Sequence, residues 1–444
     1  MRVLFLLAAA LVAVSAAPSP APKPTPAPTM APKTCPPRVR KSWDALTSTE
    51  KDTFVSAIEV AMDKGLYQKF VWLHQETMSA NEAHRTCVFL FWHRKFMLAF
   101  ENMLRSLGDR YACVTLPYWD YVQDYSTMQN TRDPAQRCNS ILSCSAVARE
   151  LGGSTQGKQS RANFFGYPFP RNTCVTTSPV SHMCVRPGTC EACVPRGNWA
   201  NTPLIPGMGA ASIRPRLFRS GSVVSAMSAQ IESSPHDIVH GTLDGVMSNP
   251  MTSPADPIFY MHHNMLDLLH TIFYHCQVEP LGLTDAQQRV DKRVFQGCTT
   301  NNNEPVGPTS NLRLRIADSG TSINVDDDPL IGRFFKGLPT QYYQLTDVRT
   351  LGYSFELKGL LGDMYAKCDG STQTRRRLQD LVNTTTIDNV VKPIVLAENK
   401  HQLAFEAAVQ AQAARQNMTR DDADVEVDKM TVVMHEKCMP GSVH

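Results

Sequence analysis

Two clusters of histidine contain the side chains with the clearest chemical potential in this sequence. The chain has 13 histidines, of which three lie in one window of 20 residues and six in a window of 40 residues. The first cluster is His74, His84 and His93, and the second is His236, His240, His262, His263, His270 and His275. Neutral imidazole is a good ligand for copper, zinc, iron or nickel. Two such clusters in one chain predict a dinuclear metal site.

The spacing within the second cluster predicts how its ligands are presented. His236 and His240 are four residues apart, so on a helix both side chains point from one face toward a single ion. A second helix could supply a third ligand from His262 or from His263, but not from both, because adjacent helical residues point about 100° apart. The segment 236–240 lacks the glutamate of the HExxH motif, which argues against a zinc protease.

The first cluster needs a different arrangement of elements. His84 and His93 are nine residues apart, about two and a half helical turns, so they cannot share one helix face. We therefore expect His84 in a loop or at the start of the helix that carries His93, and His74 on the preceding helix. Two sites of three histidines then face each other, each built on a pair of antiparallel helices. The predicted fold is mainly α, with an antiparallel four-helix-bundle core.

Helix signals agree with this arrangement. Thr47 or Ser48 can cap a helix that ends at Gly65, and the apolar spacing from Phe89 predicts a helix that stops at Gly108. Further helices are expected after Pro235 and over residues 256–276. The stretch 309–358 alternates apolar residues in the manner of strands.

The cysteines predict long loops held by disulfides. Thirteen cysteines in 444 residues are typical of a secreted protein, and an odd number leaves at least one outside the intramolecular pairs. Six of them lie in the loop-like stretch 125–220: Cys138, Cys144, Cys174, Cys184, Cys190 and Cys193. The C-x-x-C pair formed by Cys190 and Cys193 could indicate redox or zinc chemistry, but this setting favours structural disulfides.

The ends of the chain predict secretion. Residues 1–16 have the basic start, apolar stretch and small terminal residues of a signal peptide, and 17–37 form a proline-rich arm. We expect a core over 38–358 and a C-terminal extension over 359–444, which contains the tribasic run 375–377 and sequons at Asn383 and Asn417. The formal charge of +3 argues against a nucleic-acid partner, and no later segment is apolar enough to predict a membrane span.

Four ordered motifs resemble those of tyrosinases. Residues 91–96 read FWHRKF and are followed by Phe100 and Glu101, like the CuA signature of that family. The segments 117–120, 236–241 and 256–263 read PYWD, HDIVHG and DPIFYMHH, Asp267 follows the last, and 351–355 reads LGYSF. The sequence therefore resembles a secreted type-3 copper protein of the tyrosinase and catechol oxidase group.

The resemblance implies two copper ions and their ligands. The implied CuA ligands are His74, His84 and His93, and the implied CuB ligands are His236, His240 and His263. His262, His270 and His275 are then not ligands, and we expect His262 to pack beside the site or to shape its pocket. Asp267 is expected either to support a ligand or to lie on the helix surface.

The implied activity is oxidation of o-diphenols to o-quinones with O2, with hydroxylation of monophenols as a further possibility. In the family, a glutamate, together with the asparagine that directly follows the first CuB histidine, holds a water that acts as base. The implied catalytic residues here are Glu232, four residues before His236, and Asp237, directly after it. Because Asp237 replaces the asparagine, diphenol oxidation is the safer expectation. Glu82 occupies the position of the cysteine that many members cross-link to the second CuA histidine, so we predict no such thioether.

Two other functions are compatible with the same histidines. One is an O2 carrier of the haemocyanin type, and the other is an extracellular matrix protein without catalysis. The C-terminal extension could cover the copper site until it is cleaved at the tribasic run.

Overall fold

The computed structural model describes residues 34–368, apart from 132–136, 160–162, 187–189, 191 and 319. The predicted signal peptide, nearly all of the arm, the tribasic run and both sequons lie outside the described residues. Within the described part of the chain, no helix has the length and apolar character needed to cross a membrane.

The described residues are mainly helical, with a few short strands, as predicted. The helices are α1 Ser48–Asp63, α2 Leu66–Gln75, α3 Thr77–Ala83, α4 Phe89–Arg105, α5 Tyr121–Asn130, α6 Ile141–Cys144, α7 Ala146–Glu150, α8 Ala210–Phe218, α9 Val224–Ile231, α10 Ile238–Leu243, α11 Ile258–Phe273, α12 Asp285–Gln288, α13 Gly332–Phe335 and α14 Gly359–Lys367. The strands are β1 Arg38–Arg40, β2 Gly157–Gln159, β3 Asn163–Phe164, β4 Tyr167–Pro168, β5 Thr173–Val175, β6 Val194–Arg196, β7 Arg315–Ile316, β8 Ile323–Asn324 and β9 Tyr353–Phe355.

The predicted boundaries of α1 are confirmed by its caps. Thr47 Oγ1 accepts a hydrogen bond from the Glu50 backbone N–H, and Glu50 Oε2 accepts one from the Thr47 N–H at 2.8 Å. This reciprocal capping box satisfies two N–H groups that a helix start leaves unpaired. Gly65 follows the helix with φ +69°, a left-handed conformation that glycine adopts without steric cost.

The centre of the fold is formed by α4 and α11, which pack directly against each other. Every residue of α11 except Thr271 is buried, and in α4 only Asn102 and Arg105 are not. Helices that are buried all round lie in the interior of a domain rather than on its surface. Both helices carry histidines, so the metal-binding candidates lie in the core.

The strand prediction for 309–358 is mostly wrong. Within it, the described strands are β7, β8 and β9, of two to three residues each, and much of the rest is loop and 3₁₀ turn. Leu312 and Leu314 are buried, but their backbone groups pair with other loops: the Leu312 N–H donates to Thr340 O and Leu314 O accepts from Val325. Alternating apolar residues can be buried by irregular backbone that wraps a helical core.

Asp267 lies at the centre of a buried ion network. Its Oδ1 accepts from Arg94 Nε at 2.5 Å, and its Oδ2 accepts from Arg40 Nη1 at 3.0 Å and from the Tyr353 hydroxyl at 2.6 Å. A buried carboxylate is tolerated when opposite charges and hydrogen bonds satisfy it in this way. Both expectations for Asp267 are therefore wrong, since it is not on the surface and it joins α11 to β1, α4 and β9 rather than supporting a histidine.

Six disulfides link the described residues. They are Cys35–Cys113, Cys87–Cys298, Cys138–Cys144, Cys174–Cys193, Cys184–Cys190 and Cys276–Cys368. Three of them lie within 125–220, as predicted. Cys190 and Cys193 are both structural, but they pair with Cys184 and Cys174 rather than with each other. The thirteenth cysteine, Cys438, lies outside the described residues.

The expected core boundaries at 38 and 358 need correction. Cys35 is bonded to Cys113, so the connected fold begins before residue 38. On α14, Leu361 and Met364 are buried, and Cys368 is bonded to Cys276 at the end of the core helices. Residues 359–368 are therefore part of the core and not of a separate tail.

Candidate metal centre

The first three histidines lie on α2, at the end of α3 and on α4. His74 is the penultimate residue of α2, and His93 lies in the second turn of α4. His84 caps the C-terminus of α3 in extended conformation, with φ −130°. The prediction that His84 precedes the helix of His93 is confirmed.

These three rings converge on one point. Nε2 of His74 lies 3.3 Å from Nε2 of His93, and the ring centroids of His74 and His84 are 4.8 Å apart. One ring nitrogen from each of the three residues lies within 4.8 Å of the others. Two imidazole nitrogens that each bind one tetrahedral ion at about 2.0 Å are themselves about 3.3 Å apart. The observed separation therefore fits a shared metal ion.

The second group starts in an irregular segment. Residues 232–237 contain a cis peptide bond between Ser234 and Pro235, and Ser234 has non-helical angles of φ −154° and ψ 123°. His236 lies in this segment, while His240 lies on α10. The expectation that a regular helix begins directly after Pro235 is thus wrong by two residues. The two rings nevertheless meet, with centroids 4.5 Å apart.

Helix α11 contributes two histidines to this second group. His263 Nε2 lies 3.2 Å from His240 Nε2, again the separation expected for two ligands of one ion. His262 also has a ring nitrogen within 4.8 Å of the other three histidines. The centroid of its ring lies 5.7 Å from that of His236, on which it stacks, and 5.8 Å from that of Tyr121. Neither of its nitrogens has a hydrogen-bond partner among the residues that the structure describes. Contrary to the helical-face argument, both neighbours reach the group.

The two groups face each other across a short gap. His93 of the first group stacks on His263 of the second, with centroids 4.3 Å apart and planes 21° apart. Phe89 packs against both groups, since the centroid of its ring lies 4.8 Å from that of His93 and 4.7 Å from that of His236. Phe259 likewise lies 4.0 Å from His263. The arrangement can hold two ions side by side in an aromatic, water-poor environment.

All six rings are kept neutral. Burial lowers the pKa of each histidine, and a proton on a neighbouring ring would lower the pKa of several of them further. For His84 and His240 the pKa falls to about 4. A neutral imidazole offers the lone pair that a metal ion requires.

Hydrogen bonds to backbone carbonyls orient two of the rings. Nδ1 of His240 lies 2.6 Å from the carbonyl oxygen of Met247, and Nδ1 of His93 lies 2.9 Å from that of Phe89. Nδ1 of a neutral ring donates to such a carbonyl, which leaves Nε2 unprotonated toward the centre. Within the described residues the buried Nε2 of His236 has no hydrogen-bond partner, as expected of a nitrogen that is free to bind a metal ion.

The two predicted catalytic carboxylates lie beside the second group. Glu232 is 3% exposed, and its Oε1 accepts the Arg85 backbone N–H at 2.6 Å. Burial raises the pKa of Glu232 to about 8. Asp237 is partly exposed, and burial also raises its pKa while Arg85 lowers it. Oδ1 of Asp237 lies 2.9 Å from Nδ1 of His236.

The open side of the centre can be located from exposure. Among the six histidines, His84 and His240 are half-buried, while the other four are buried. These two rings therefore lie on the solvent-facing side of the centre. Arg85 lies next to this opening and was missed in the sequence; its signal would have been its position directly after a ligand. Glu82 is buried and accepts hydrogen bonds from the Tyr342 hydroxyl and the Arg313 N–H.

Comparisons with known proteins agree with this geometry. The family profile described as the common central domain of tyrosinase matches residues 64–275, which include all six histidines. The tyrosinase of Streptomyces glaucescens is 29% identical over 237 residues, covering 52% of this chain and 80% of that protein.

Two solved structures are also similar. A functional unit of octopus hemocyanin has 17% identity and a TM-score of 0.44, and covers 78% of this chain and 73% of that one. A polyphenol oxidase mutant of Thermothelomyces thermophila has 20% identity and a TM-score of 0.41, with coverage of 72% and 88%. Residues 64–275 therefore match the common central domain of tyrosinases, and the curated relatives that cover this region are tyrosinases.

Proposed function

We propose that the chain is a secreted copper oxidoreductase that oxidises o-diphenols to o-quinones with O2. The observation that carries this proposal is the pair of facing groups of neutral histidines with converging Nε2 atoms. The proposed ligands of one copper are His74, His84 and His93, and those of the other are His236, His240 and His263. When bound, two coppers in such ligands supply electron exchange between a phenolic substrate and O2.

His263 is the better candidate for the third ligand of the second copper. Its Nε2 is paired in space with that of His240, and its ring also stacks on His93 of the first group. His262 contacts Tyr121 instead, outside the first group. We therefore keep His262 as a packing residue that shapes this wall of the site.

The protein orients its ligands through their outer nitrogens. The carbonyls of Phe89 and Met247 and the carboxylate of Asp237 lie against Nδ1 of three different histidines. Phe89 and Phe259 pack against the rings and keep water from the buried side. Substrate is thereby confined to the opening between His84 and His240, where the catechol ring can enter edge-on.

Oxidation of a catechol also releases two protons, which the carboxylates can accept. Glu232 is buried next to His236, and two bound cations would lower its pKa, because positive charge favours the carboxylate. Asp237 lies nearer to solvent and can pass a proton outward. Its two oxygens are occupied by His236 and Arg85, and an ionised carboxylate cannot donate a hydrogen bond to a water. We therefore propose diphenol oxidation as the main reaction and slow hydroxylation of monophenols.

Secretion and processing are part of the proposal. Six disulfides in the described residues are typical of an oxidising compartment, and residues 1–16 would direct the chain there. The residues after 368 would act as a shielding extension that is cleaved at the tribasic run 375–377. Limited proteolysis tests this: activity should rise on cleavage, and equal activity before and after would refute the shielding role.

The experiment for the function combines copper counting with two substrates. Purified protein is loaded with copper and assayed with L-DOPA and, separately, with L-tyrosine. We expect two coppers per chain, clear turnover of L-DOPA and much slower turnover of L-tyrosine. Two coppers with reversible O2 binding and no turnover, even after proteolysis, would instead indicate an O2 carrier, and no copper would refute the ligand assignment.

A further inference from the structure

Arg85 occupies a special position at the opening of the metal centre. It directly follows His84, one of the two histidines that are half-buried rather than buried. Consecutive Cα atoms are about 3.8 Å apart, so its backbone lies at the rim itself. The guanidinium side chain is 72% exposed, and solutes that enter the site can therefore reach it.

The backbone of Arg85 is fixed in an uncommon conformation. Its φ of +58° lies in the left-handed region, which costs a residue other than glycine about 1 kcal/mol or more. The Arg85 N–H donates to Glu232 Oε1 at 2.6 Å, and this bond holds the residue against the segment that precedes His236. The direction in which the side chain leaves the backbone is thus set by the second half of the site.

The side chain uses only part of its hydrogen-bonding capacity. Nη2 of Arg85 lies 3.0 Å from Asp237 Oδ2, and within the described residues the structure gives Nε and Nη1 no partner. A guanidinium has five donors in a planar fork, and it can hold a second carboxylate beside the first. The ion pair with Asp237 therefore orients the guanidinium group and leaves other N–H donors of Arg85 available for a ligand.

We propose that Arg85 binds the carboxylate of phenolic acids, and so selects anionic substrates at this site. The inference rests on the proposed oxidation of o-diphenols and names the substrate class. A substrate with its ring between His84 and His240 would point a substituent opposite its hydroxyls toward the rim. A carboxylate there meets the unused donors of Arg85, whereas an ammonium group meets a like charge.

The test compares three catechols that differ in charge, using the copper-loaded full chain. The probes are 3,4-dihydroxyphenylpropionate, neutral 4-methylcatechol and cationic dopamine, each measured as kcat/KM. In Arg85→Gln we expect the ratio of the anionic to the neutral substrate to fall about tenfold, and the ratio of the cationic to the neutral one to rise. Arg85→Lys should retain part of the preference, since it keeps the charge but not the fork.

A matched control is available in another exposed ion pair. Arg293 is 58% exposed and pairs with Asp291 at 2.5 Å, in a segment that contributes no histidine to the centre. Arg293→Gln removes the same charge and should leave the ratios unchanged. Added salt should lower the anionic preference of the wild type and have little effect in Arg85→Gln, because exposed charges are screened. The salt effect on the wild type can be measured without any variant.

A binding measurement separates this inference from the proposed function. Calorimetric titration of the metal-free protein with 3-(4-hydroxyphenyl)propionate should give weaker binding in Arg85→Gln than in the wild type. Equal binding and an unchanged substrate ratio in Arg85→Gln, or equal shifts in Arg293→Gln, would overturn the role of Arg85. Absence of turnover of all three catechols by the copper-loaded wild type would contradict the oxidase function alone.

Discussion

Oδ1 of Asp237 lies 2.9 Å from Nδ1 of His236, and Oδ2 of the same carboxylate lies 3.0 Å from Nη2 of Arg85. One side chain therefore joins a proposed copper ligand to the charged rim of the opening. A carboxylate beside Nδ1–H fixes the tautomer of the ring and increases the basicity of its Nε2. We infer that Asp237 positions the ring of His236 in the proposed copper site.

The first prediction concerns this contact. Asp237→Ala should lower the affinity for copper by about 10- to 100-fold, the usual effect of removing an acceptor behind a histidine ligand. Asp237→Asn should bind copper within a few-fold of the wild type, because its amide oxygen can still accept the Nδ1–H bond. Competition with a chelator of known affinity measures both, and an alanine variant with wild-type affinity would show that the contact does not support the ligand.

The second prediction decides between the adjacent histidines of α11. His263→Ala should bind one copper per chain, since Nε2 of His263 is paired with that of His240. His262→Ala should keep two coppers, although the lost packing against Tyr121 should lower the melting temperature. Elemental analysis of the reconstituted variants gives the count. Loss of copper from His262→Ala but not from His263→Ala would mean that His262 is the ligand and His263 the packing residue.

The third prediction concerns the buried network around Asp267. Asp267→Asn removes the charge that pairs with Arg94 and one of the two that pair with Arg40, and breaking a buried pair on one side costs about 3–5 kcal/mol. Tyr353→Phe removes one hydrogen bond to the same carboxylate and should cost about 1.5–3 kcal/mol.

Denaturant unfolding measures the difference between these variants. The variants that fold should still bind two coppers per chain, because none of the described histidines makes a hydrogen bond to Asp267. A variant with normal stability and missing copper would instead assign Asp267 to the metal site.

The fourth prediction is a pH dependence of stability. Asp124 is buried, and burial raises its pKa to about 7 although Ser145 and Trp119 donate hydrogen bonds to it. Because the folded pKa lies above the unfolded one, the wild type loses stability as pH rises from about 4 to about 7, by at most about 1.4 kcal/mol per pH unit.

The neutral variant Asp124→Asn should not lose this stability. Its advantage over the wild type should grow between pH 4 and pH 7 and then level off. Thermal melts at matched pH values show the trend, and a difference that is constant with pH would mean that Asp124 is ionised in the folded state throughout.

Much of the site was predictable because its elements are local. The capping box at Thr47, the stop at Gly65 and the nine-residue spacing of His84 and His93 each follow from short-range rules, and the structure agrees with all three. The position of His84 outside the helix was a consequence of geometry alone. Sequence patterns that span one or two helical turns are therefore enough to predict the local structure.

What the sequence did not reveal depends on long-range contacts. The partners of Asp267 are 227 and 173 residues away, and the disulfide partners of Cys190 and Cys193 depend on how the loop folds back. Leu312 and Leu314 alternate as in a strand, yet a helical core buries them. Arg85 carries no motif, and its role emerges only when the segment 232–237 lies against it.

The most direct test of the central claim is the stoichiometry of O2 uptake. Copper-loaded protein is mixed with excess 4-methylcatechol in an oxygen electrode while quinone is followed by absorbance. The account predicts continuous turnover with two quinones formed per O2 consumed, since each catechol gives up two electrons and O2 accepts four. Uptake that stops at one O2 per pair of coppers, without quinone, would contradict it.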